Sequence, residues 1–283
     1  MHPSSMIILN SFLGQIPEER RESLIRLLPE STENTLKTLG EPLQIEFGPF
    51  SFDWLLGFVH YSWLMPTLKL YSKDAPFFVR ALENGPKRNI QTNMEIRAST
   101  TSLSPFAEDF FRDVLIKSLV GEENTLLPIE YLPESELNIL TQFSKKEMTQ
   151  LIDFLSLYDL ALEIRQIVET KILKKIYSLL TEDQKKFLKS IMAQKEHPAL
   201  TKLGLDRWDG NEEVFRYLLH RRGLMRLAIA LSREHPDLLW YVCHILDIGR
   251  GTALSKSAQK EAKTHLAHAI SQNIMELVPL IHK

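Results

Sequence analysis

Apolar residues recur along most of the chain at the three- and four-residue spacing that places them on one side of a helix. The run "ALEIRQIVETKILKKIYSLL", residues 161–180, shows this spacing, and residues 105–121 run from a proline to a glycine, which favour a helix start and stop. Ser144–Glu147 and Thr181–Gln184 have the pattern of capping boxes, which open helices. Residues 41–50 alternate enough to suggest one short strand. The pattern therefore predicts an all-α fold of stacked short helices.

Two further helices are predicted from residue clustering. The aromatic-rich run "FDWLLGFVHYSWL", residues 52–64, is dense in large apolar groups and suggests a helix buried on most faces. A long helix is expected from about Ser257 to the end of the chain. Residues 85–104 hold few core-forming residues and many polar ones, which is typical of a linker. The expected organisation is an N-terminal helical domain at 1–84, this linker, and a C-terminal helical domain at 105–283.

Composition narrows the function classes. The chain has 283 residues with 34 basic and 36 acidic side chains, a net charge of −2, which argues against a nucleic-acid-binding role. One cysteine excludes an internal disulfide framework and a cysteine-cluster zinc site, and it fits a reducing compartment. The sequence has no apolar run of about 18 residues and no signal-peptide pattern at its start, so we expect a cytoplasmic protein with no direct membrane insertion.

The stretch "WYVCHILDIGRG", residues 240–251, places a cysteine, a histidine and an aspartate beside a glycine-rich turn. Proline at 236 and the glycines at 249 and 251 predict a helix over 236–248, with Gly-Arg-Gly as its stop. On that helix Cys243 and His244 point about 100° apart, so their adjacency is not a catalytic contact. We expect Cys243 to be a core or boundary residue rather than a nucleophile. Asp247 and Arg250 are expected to form a helix-surface ion pair.

The same helix carries the candidate partner-binding residues. Trp240, His244, Asp247 and Gly251 are predicted to share the face opposite its apolar stripe. A tryptophan among polar groups is typical of a binding hot spot. The alternative is that another helix of the same chain covers this face. The predicted contact residues are Glu234, His235, Trp240, His244, Asp247 and Arg250.

Two other groups of polar residues were candidates for chemistry. His265 and His268 share a helical face with Glu261, but zinc needs further ligands that the sequence does not offer, so a solvated face is the favoured interpretation. A basic cluster surrounds Gly223 and comprises His220, Arg221, Arg222 and Arg226. Such a cluster could bind a phosphate or a carboxylate, although a charged junction at the start of a helix is the favoured interpretation. We predict no cofactor, no metal and no enzymatic activity; an enzyme would require Cys243 or His265 to be chemically unusual.

Two short segments resemble a flagellar protein. Glu196–Pro198 and Glu234–Pro236 each read Glu-His-Pro before a predicted helix, which resembles the Glu-His-Pro-Gln entry to a helix in the flagellar rotor protein FliG. The glutamine is replaced by Ala199 in one copy and by Asp237 in the other, which puts in doubt any partner contact carried over from it. The resemblance implies armadillo-like helical units of the FliG type.

A second resemblance covers residues 130–253. The segments Arg207–Gly210, Leu218–Leu227 and His235–Gly251 together look like a chlamydial family of all-helical bacterial proteins associated with type III secretion. This resemblance implies a cytoplasmic adaptor that links membrane-ring and cytoplasmic components of a secretion or flagellum-like apparatus.

The expected function is therefore that of a non-enzymatic structural adaptor acting through protein–protein interaction, in which partner helices lie in grooves between stacked helices. Its partners would be proteins of a secretion or motor apparatus, with assembly into a ring and peripheral attachment to the inner membrane through those partners as options. The alternative is a secreted effector or another helical interaction module.

Overall fold

The structure, a computed structural model, is all-helical over the residues that it describes, and it contains no strand there. The described residues are 3–14, 16–39, 53–121, 126–193, 198, 200, 202–205, 208–261 and 266–282. The all-α prediction is confirmed. The strand predicted at 41–50 lies outside the described residues.

The chain divides into two compact units, Met1–Pro133 and Glu134–Lys283. This boundary differs from the predicted one, which lay in residues 85–104. Part of that segment is helical, because Asn84–Met94 forms a helix with Pro86 and Ile90 buried. Two apolar anchors are thus enough to hold a helix whose other residues are mostly polar.

The first unit is built from short helices. They are α1 (Pro3–Gly14), α2 (Glu18–Ile25), α3 (Glu30–Thr38), α4 (Leu55–Phe58), α5 (Met65–Leu70), α6 (Ala75–Ala81), α7 (Asn84–Met94) and α8 (Pro105–Val120), with 3-10 turns at Tyr61–Trp63 and Ile129–Tyr131. α8 runs as predicted, with the Ser104 side chain accepting the N–H of Ala107 at its start. The single helix predicted over 52–64 is wrong, since His60 is extended and its ring accepts the N–H of Ser62 to begin a 3-10 turn.

The second unit carries longer helices. They are α9 (Lys145–Ile164), α10 (Thr170–Leu179), α11 (Glu182–Ala193), α12 (Glu212–Leu231), α13 (Pro236–Ile245), α14 (Ile248–Glu261) and α15 (Ala267–Ile281), preceded by a 3-10 helix at Glu136–Gln142. α9 and α12 pack along each other at the centre, and α14 and α15 also pack against α12. A Cβ placed on Gly223 of α12 would lie 1.7 Å from the carbonyl oxygen of Ile152 on α9, so the two helices touch where glycine leaves room.

Both predicted capping boxes are confirmed. Ser144 and Glu147 bond each other reciprocally at the start of α9, and Thr181 and Gln184 do the same at the start of α11. Glu147 is also bonded to His282 at 2.9 Å, which ties the end of the chain to the start of α9. The hydroxyl and backbone N–H of Ser144, with His282, lower the pKa of Glu147 to about 2.

Buried charged side chains join α9 and α12 to the irregular segment that precedes α12. Arg226 is fully buried and donates to Asp159 at 2.7 Å and to the carbonyl of Pro198 at 2.6 Å. Glu163 accepts two backbone N–H groups of residues 203–205, at 2.5 and 2.7 Å. Because a buried charge is costly unless it is paired, these bonds fix the segment against the two helices.

The helix predicted over 236–248 ends earlier, at Ile245. Leu246 is extended, and the Asp247 carboxylate accepts the N–H of Arg250 at 3.1 Å, which starts the new helix α14. The glycines at 249 and 251 therefore lie in the first turn of α14, and their interpretation as a helix stop is wrong. The long helix expected from Ser257 onwards is likewise replaced by the end of α14 and by α15, with residues 262–265 outside the described ones.

Candidate functional site

A groove runs along the outer face of α9. Lys146, Thr149, Gln150 and Asp153 follow one another at three- and four-residue steps, which places them on one side of the helix. The other side, with Leu151, Ile152 and Leu155 among others, is buried in the core. The polar stripe is thus held on a helix that the core fixes in place.

The first part of the groove is a shallow depression of about 730 Å³ between α9 and the start of α11. Eight of its nine lining residues are polar or charged types, although much of the surface that they expose belongs to their carbon atoms. The nine are Lys145, Lys146, Thr149, Gln150, Asp153, Phe154, Thr181, Asp183 and Gln184. The capping box at Thr181 fixes the start of α11, so this wall has a defined backbone. The depression offers charged and amide groups along one line.

The second part is a depression of about 380 Å³ between α9, the end of α10 and α12. It shares Asp153 and Gln184 with the first part, so the two are continuous. Its walls carry the apolar side chains of Leu179, Leu180, Phe215 and Leu219 together with Ser156, Arg216, Tyr217 and His220. Tyr217 is 63% exposed, and Val214, one turn earlier on α12, is 44% exposed. Large, partly exposed side chains beside an apolar depression are the features of a contact surface.

Asp153 on α9, the floor of the groove, and His220 on α12, one of its walls, are bonded at the middle of the groove. His220 Nδ1 lies 3.0 Å from Asp153 Oδ1, and the side chain of Asp153 is 41% exposed. The other ring nitrogen of His220 is buried and has no hydrogen-bond partner among the described residues. The pair therefore holds α12 against α9 and leaves one carboxylate oxygen of Asp153 available in the groove.

The predicted cluster around Gly223 does not form one basic surface. Gly223 lies inside α12 and not at a helix start, so the interpretation as a charged helix junction is wrong. His220 lines the groove and Arg221 is exposed, whereas Arg226 points into the core. Arg222 is also buried and donates to the carbonyl of Lys202 at 3.2 Å; burial lowers its pKa. Helical periodicity separates these side chains, and the buried pair is already used by the fold.

Two of the predicted contact residues lie beside the groove. Asp247 and Arg250 form the expected ion pair, at 2.5 Å, and Arg250 also donates to the hydroxyl of Thr149 at 3.2 Å. Burial alone would raise the pKa of Asp247, but the bonds from Arg250 hold it below its ordinary value. Lys145 is close to both side chains, and its pKa is lowered by burial and by Arg250. Arg250 thus connects the start of α14 to the stripe on α9.

Trp240 and His244 do not form an outward face. His244 is only 7% exposed, its Nδ1–H donates to the carbonyl of Trp240 at 2.7 Å, and the two rings stack 3.7 Å apart. Burial lowers the pKa of His244 to about 4, so the ring is neutral near pH 7. The expectation that His244 faces outward is therefore corrected: the chain itself covers the ring. As partner contacts, these residues remain a prediction.

The other two predicted contact residues lie at the start of α13. His235 is half-buried, and its Nδ1 accepts the N–H of Asp237, which caps the helix. Glu234 is half-buried, and its N–H donates to the carbonyl of Leu231 at the end of α12. Their local hydrogen bonds shape the turn between the two helices.

Cys243 is a core residue, as predicted. It is 3% exposed, and burial raises the pKa of its thiol to about 12. A thiol with this pKa is almost entirely protonated near neutral pH and is a poor nucleophile.

Metal-ligating side chains form no group of three or more in the part of the chain that the structure describes. The solvated face predicted for His265 and His268 remains a prediction, because His265 lies outside the described residues. The described helices are all too short or too polar to cross a bilayer.

Sequence reasoning missed the groove itself. One signal was present: Lys146, Gln150 and Asp153 follow the capping box at helical spacing, and Tyr217 is an aromatic residue on the polar side of α12. That α11 and α12 flank this stripe depends on tertiary packing, which a single sequence does not reveal.

Comparison of the chain with protein-family models, with curated proteins and with solved structures gives no match.

Proposed function

We propose that the protein is a non-enzymatic adaptor that binds a helix of a partner protein in the groove along α9. The observation that carries this proposal is the groove formed by the two adjoining depressions, with charged and amide residues at one end, leucine and phenylalanine side chains at the other, and Tyr217 beside the latter. A helix that lies in such a groove can insert its apolar side chains and pair its polar ones.

The walls of the groove are held in place by contacts within the second unit. α9 and α12 touch at Gly223, the start of α11 is capped, and Arg250 bonds Thr149 at the outer end. A preorganised surface loses little conformational entropy when a partner binds. Asp153 and Lys146 offer charges at its rim, and Tyr217 offers a large amphipathic contact.

The setting of a type III secretion or flagellum-like apparatus rests on the resemblance of three sequence segments, Arg207–Gly210, Leu218–Leu227 and His235–Gly251. Within this proposal the adaptor joins membrane-ring and cytoplasmic components, and Asp247 and Arg250 contribute where they border the groove. Trp240, a partly exposed residue of α13, is a second contact for the same partner.

Affinity purification from the native bacterium tests this role with three forms of the chain. The wild type is expected to recover ring or stalk components of a secretion apparatus, and Tyr217→Ala is expected to lose them. Tyr71→Ala is the control, since Tyr71 is a second exposed tyrosine in the other unit. Recovery of the same proteins by Tyr217→Ala would contradict the groove, and groove-dependent recovery of host proteins instead would favour the effector alternative. Circular dichroism of each variant checks that it is folded.

A further inference from the structure

We infer that the occupant of the groove is an amphipathic helix with one acidic and one basic residue two turns apart and an apolar anchor beyond the basic residue. This inference rests on the proposed function, and it names the chemistry of the partner. It follows from the order of charges and apolar side chains along α9.

Most charges around the groove are already paired within the chain. Arg216 bonds Glu212 at 2.8 Å, and Asp183 lies 3.9 Å from Lys186. Lys145 is influenced by both members of the Asp247–Arg250 pair at the outer end. These groups are expected to contribute little to the choice of partner, because their charges are already balanced.

Two charges remain for a partner. Lys146 forms no ion pair with another described residue, and Asp153 is bonded through Oδ1 to His220 alone in the part of the chain that the structure describes. The second oxygen of Asp153, Oδ2, is therefore an open acceptor at the junction of the two depressions. A lysine or arginine of the partner would complete it, and an acidic side chain would pair with Lys146.

The spacing of these two charges sets the spacing in the partner. Lys146 and Asp153 are seven residues apart on one face of α9, which corresponds to about 10 Å along the helix. A partner helix lying along α9 must therefore carry its acidic and basic residues about seven positions apart. Thr149 and Gln150 lie between the two charges and suit small or polar contacts.

The apolar end of the groove fixes the orientation of the pattern. The depression lined by Leu179, Leu180 and Phe215 begins at Asp153 and not at Lys146. An apolar anchor of the partner thus lies about one turn beyond its basic residue, on the side away from its acidic residue. Along the axis of α9 the order acidic, basic, apolar is the same for both directions of the partner helix. A parallel helix carries this order from its N-terminus, and an antiparallel helix carries it from its C-terminus.

Selection from a display library of helical peptides, randomised on one face, tests this inference with the purified full chain. Peptides enriched on the wild type are expected to carry the order acidic, basic, apolar at these spacings. Asp153→Asn should weaken the selected peptides about two- to fivefold, since an oxygen acceptor remains but the attraction between opposite charges at a half-exposed site is lost. Asp113→Asn, at an exposed aspartate of α8, should leave their affinity unchanged.

The charge-exchanged variant Lys146→Glu/Asp153→Lys gives the most specific result. It is expected to select the order basic, acidic, apolar, because the charges move while the leucine and phenylalanine residues of the depression are unchanged. Circular dichroism checks that loss of the Asp153–His220 contact leaves the variant folded. Groove-dependent peptides without a charge pattern, or with the same pattern on this variant, would overturn the inference and leave the proposed function standing. If the enriched peptides bind Tyr217→Ala as well as the wild type, or if none is enriched, the groove is not a binding site and both proposals fail.

Discussion

Burial decides what each charged or titratable residue of this protein does, more than its type. Arg216 and Arg226 are both on α12, yet the first is exposed beside Glu212 and the second is enclosed with Asp159. His220 lines the groove, whereas His244 is stacked beneath Trp240. The buried member of each pair is enclosed by the fold, whereas the other lies at the groove.

The buried position of His244 predicts a specific pH dependence of stability. Its pKa is lowered to about 4 by burial, below the ordinary value of about 6.5, so the unfolded chain binds a proton that the native chain does not between these values. The stability contributed by the neutral, buried ring is present above pH 6.5 and is lost as the pH falls from 6.5 to 4. His244→Gln is therefore expected to lose less stability than the wild type over this range, as measured by urea unfolding at several pH values.

Leu188→Ala is the control for that measurement, since Leu188 is buried on α11, away from the stacked rings, and the change removes no titrating group. It should lower stability by a similar amount at each pH. If His244→Gln shows the same pH dependence as the wild type, the ring is not buried in the way described.

At the scale of helices, two kinds of contact connect α9, α12 and the segment that precedes α12. α9 and α12 approach at Gly223 and Ile152, and their buried charges clamp the irregular segment before α12. The first contact is steric and the second is electrostatic, but both depend on the same pair of helices. Disturbing either should affect the groove, because α9 forms its floor and α12 one of its walls.

Gly223→Ala is expected to be strongly destabilising. Its added methyl group would lie 1.7 Å from a backbone oxygen, so the helices must separate, and we expect a loss of about 3 kcal/mol in the free energy of unfolding. Gly249→Ala is the matched control, because its Cβ would have an ordinary contact of 3.4 Å with Asp247. Chemical denaturation gives both values, and equal effects for the two variants would contradict the close approach.

Arg226→Met is expected to cost about 3–5 kcal/mol, because it leaves the carboxylate of Asp159 buried without its charged partner. Arg216→Met, at the exposed arginine of the same helix, should cost well under 1 kcal/mol. Adding Asp159→Asn to Arg226→Met should cost less than the two single effects combined, and a simple sum would argue against a coupled pair. Urea unfolding of the four variants measures this.

The helix pattern could be predicted where local chemistry decides the structure. The capping boxes at Ser144 and Thr181 and the proline-to-glycine helix α8 followed from side chains within one turn of each other. The glycines at 249 and 251 misled the prediction, because Asp247 opens a helix there and the glycines fit equally well in a first turn. The prediction that His244 lies on an outward face of α13 was also wrong, since no local signal in the sequence shows that its ring is covered. The groove depends on the packing of four helices, α9 to α12, and no single segment encodes it.

At the scale of the whole molecule, the proposed binding groove and the predicted contact residues lie in one unit. The whole groove lies within Glu134–Lys283, and so do all six residues predicted from the sequence as partner contacts. The net charge of −2 gives no strong overall attraction to a charged polymer, so the proposal assigns recognition to local side chains such as Lys146 and Asp153. We therefore expect the protein to be a helical scaffold in which one groove determines the choice of partner.

Photocrosslinking in living native cells, with a photoreactive phenylalanine in place of Tyr217, tests this account most directly. Leu280, an exposed residue of α15, is the control position. We expect a discrete adduct with one partner protein from position 217, absent from position 280 and weakened by Asp153→Asn. No adduct at position 217, or the same adducts from both positions, would contradict the claim that the groove along α9 binds a partner.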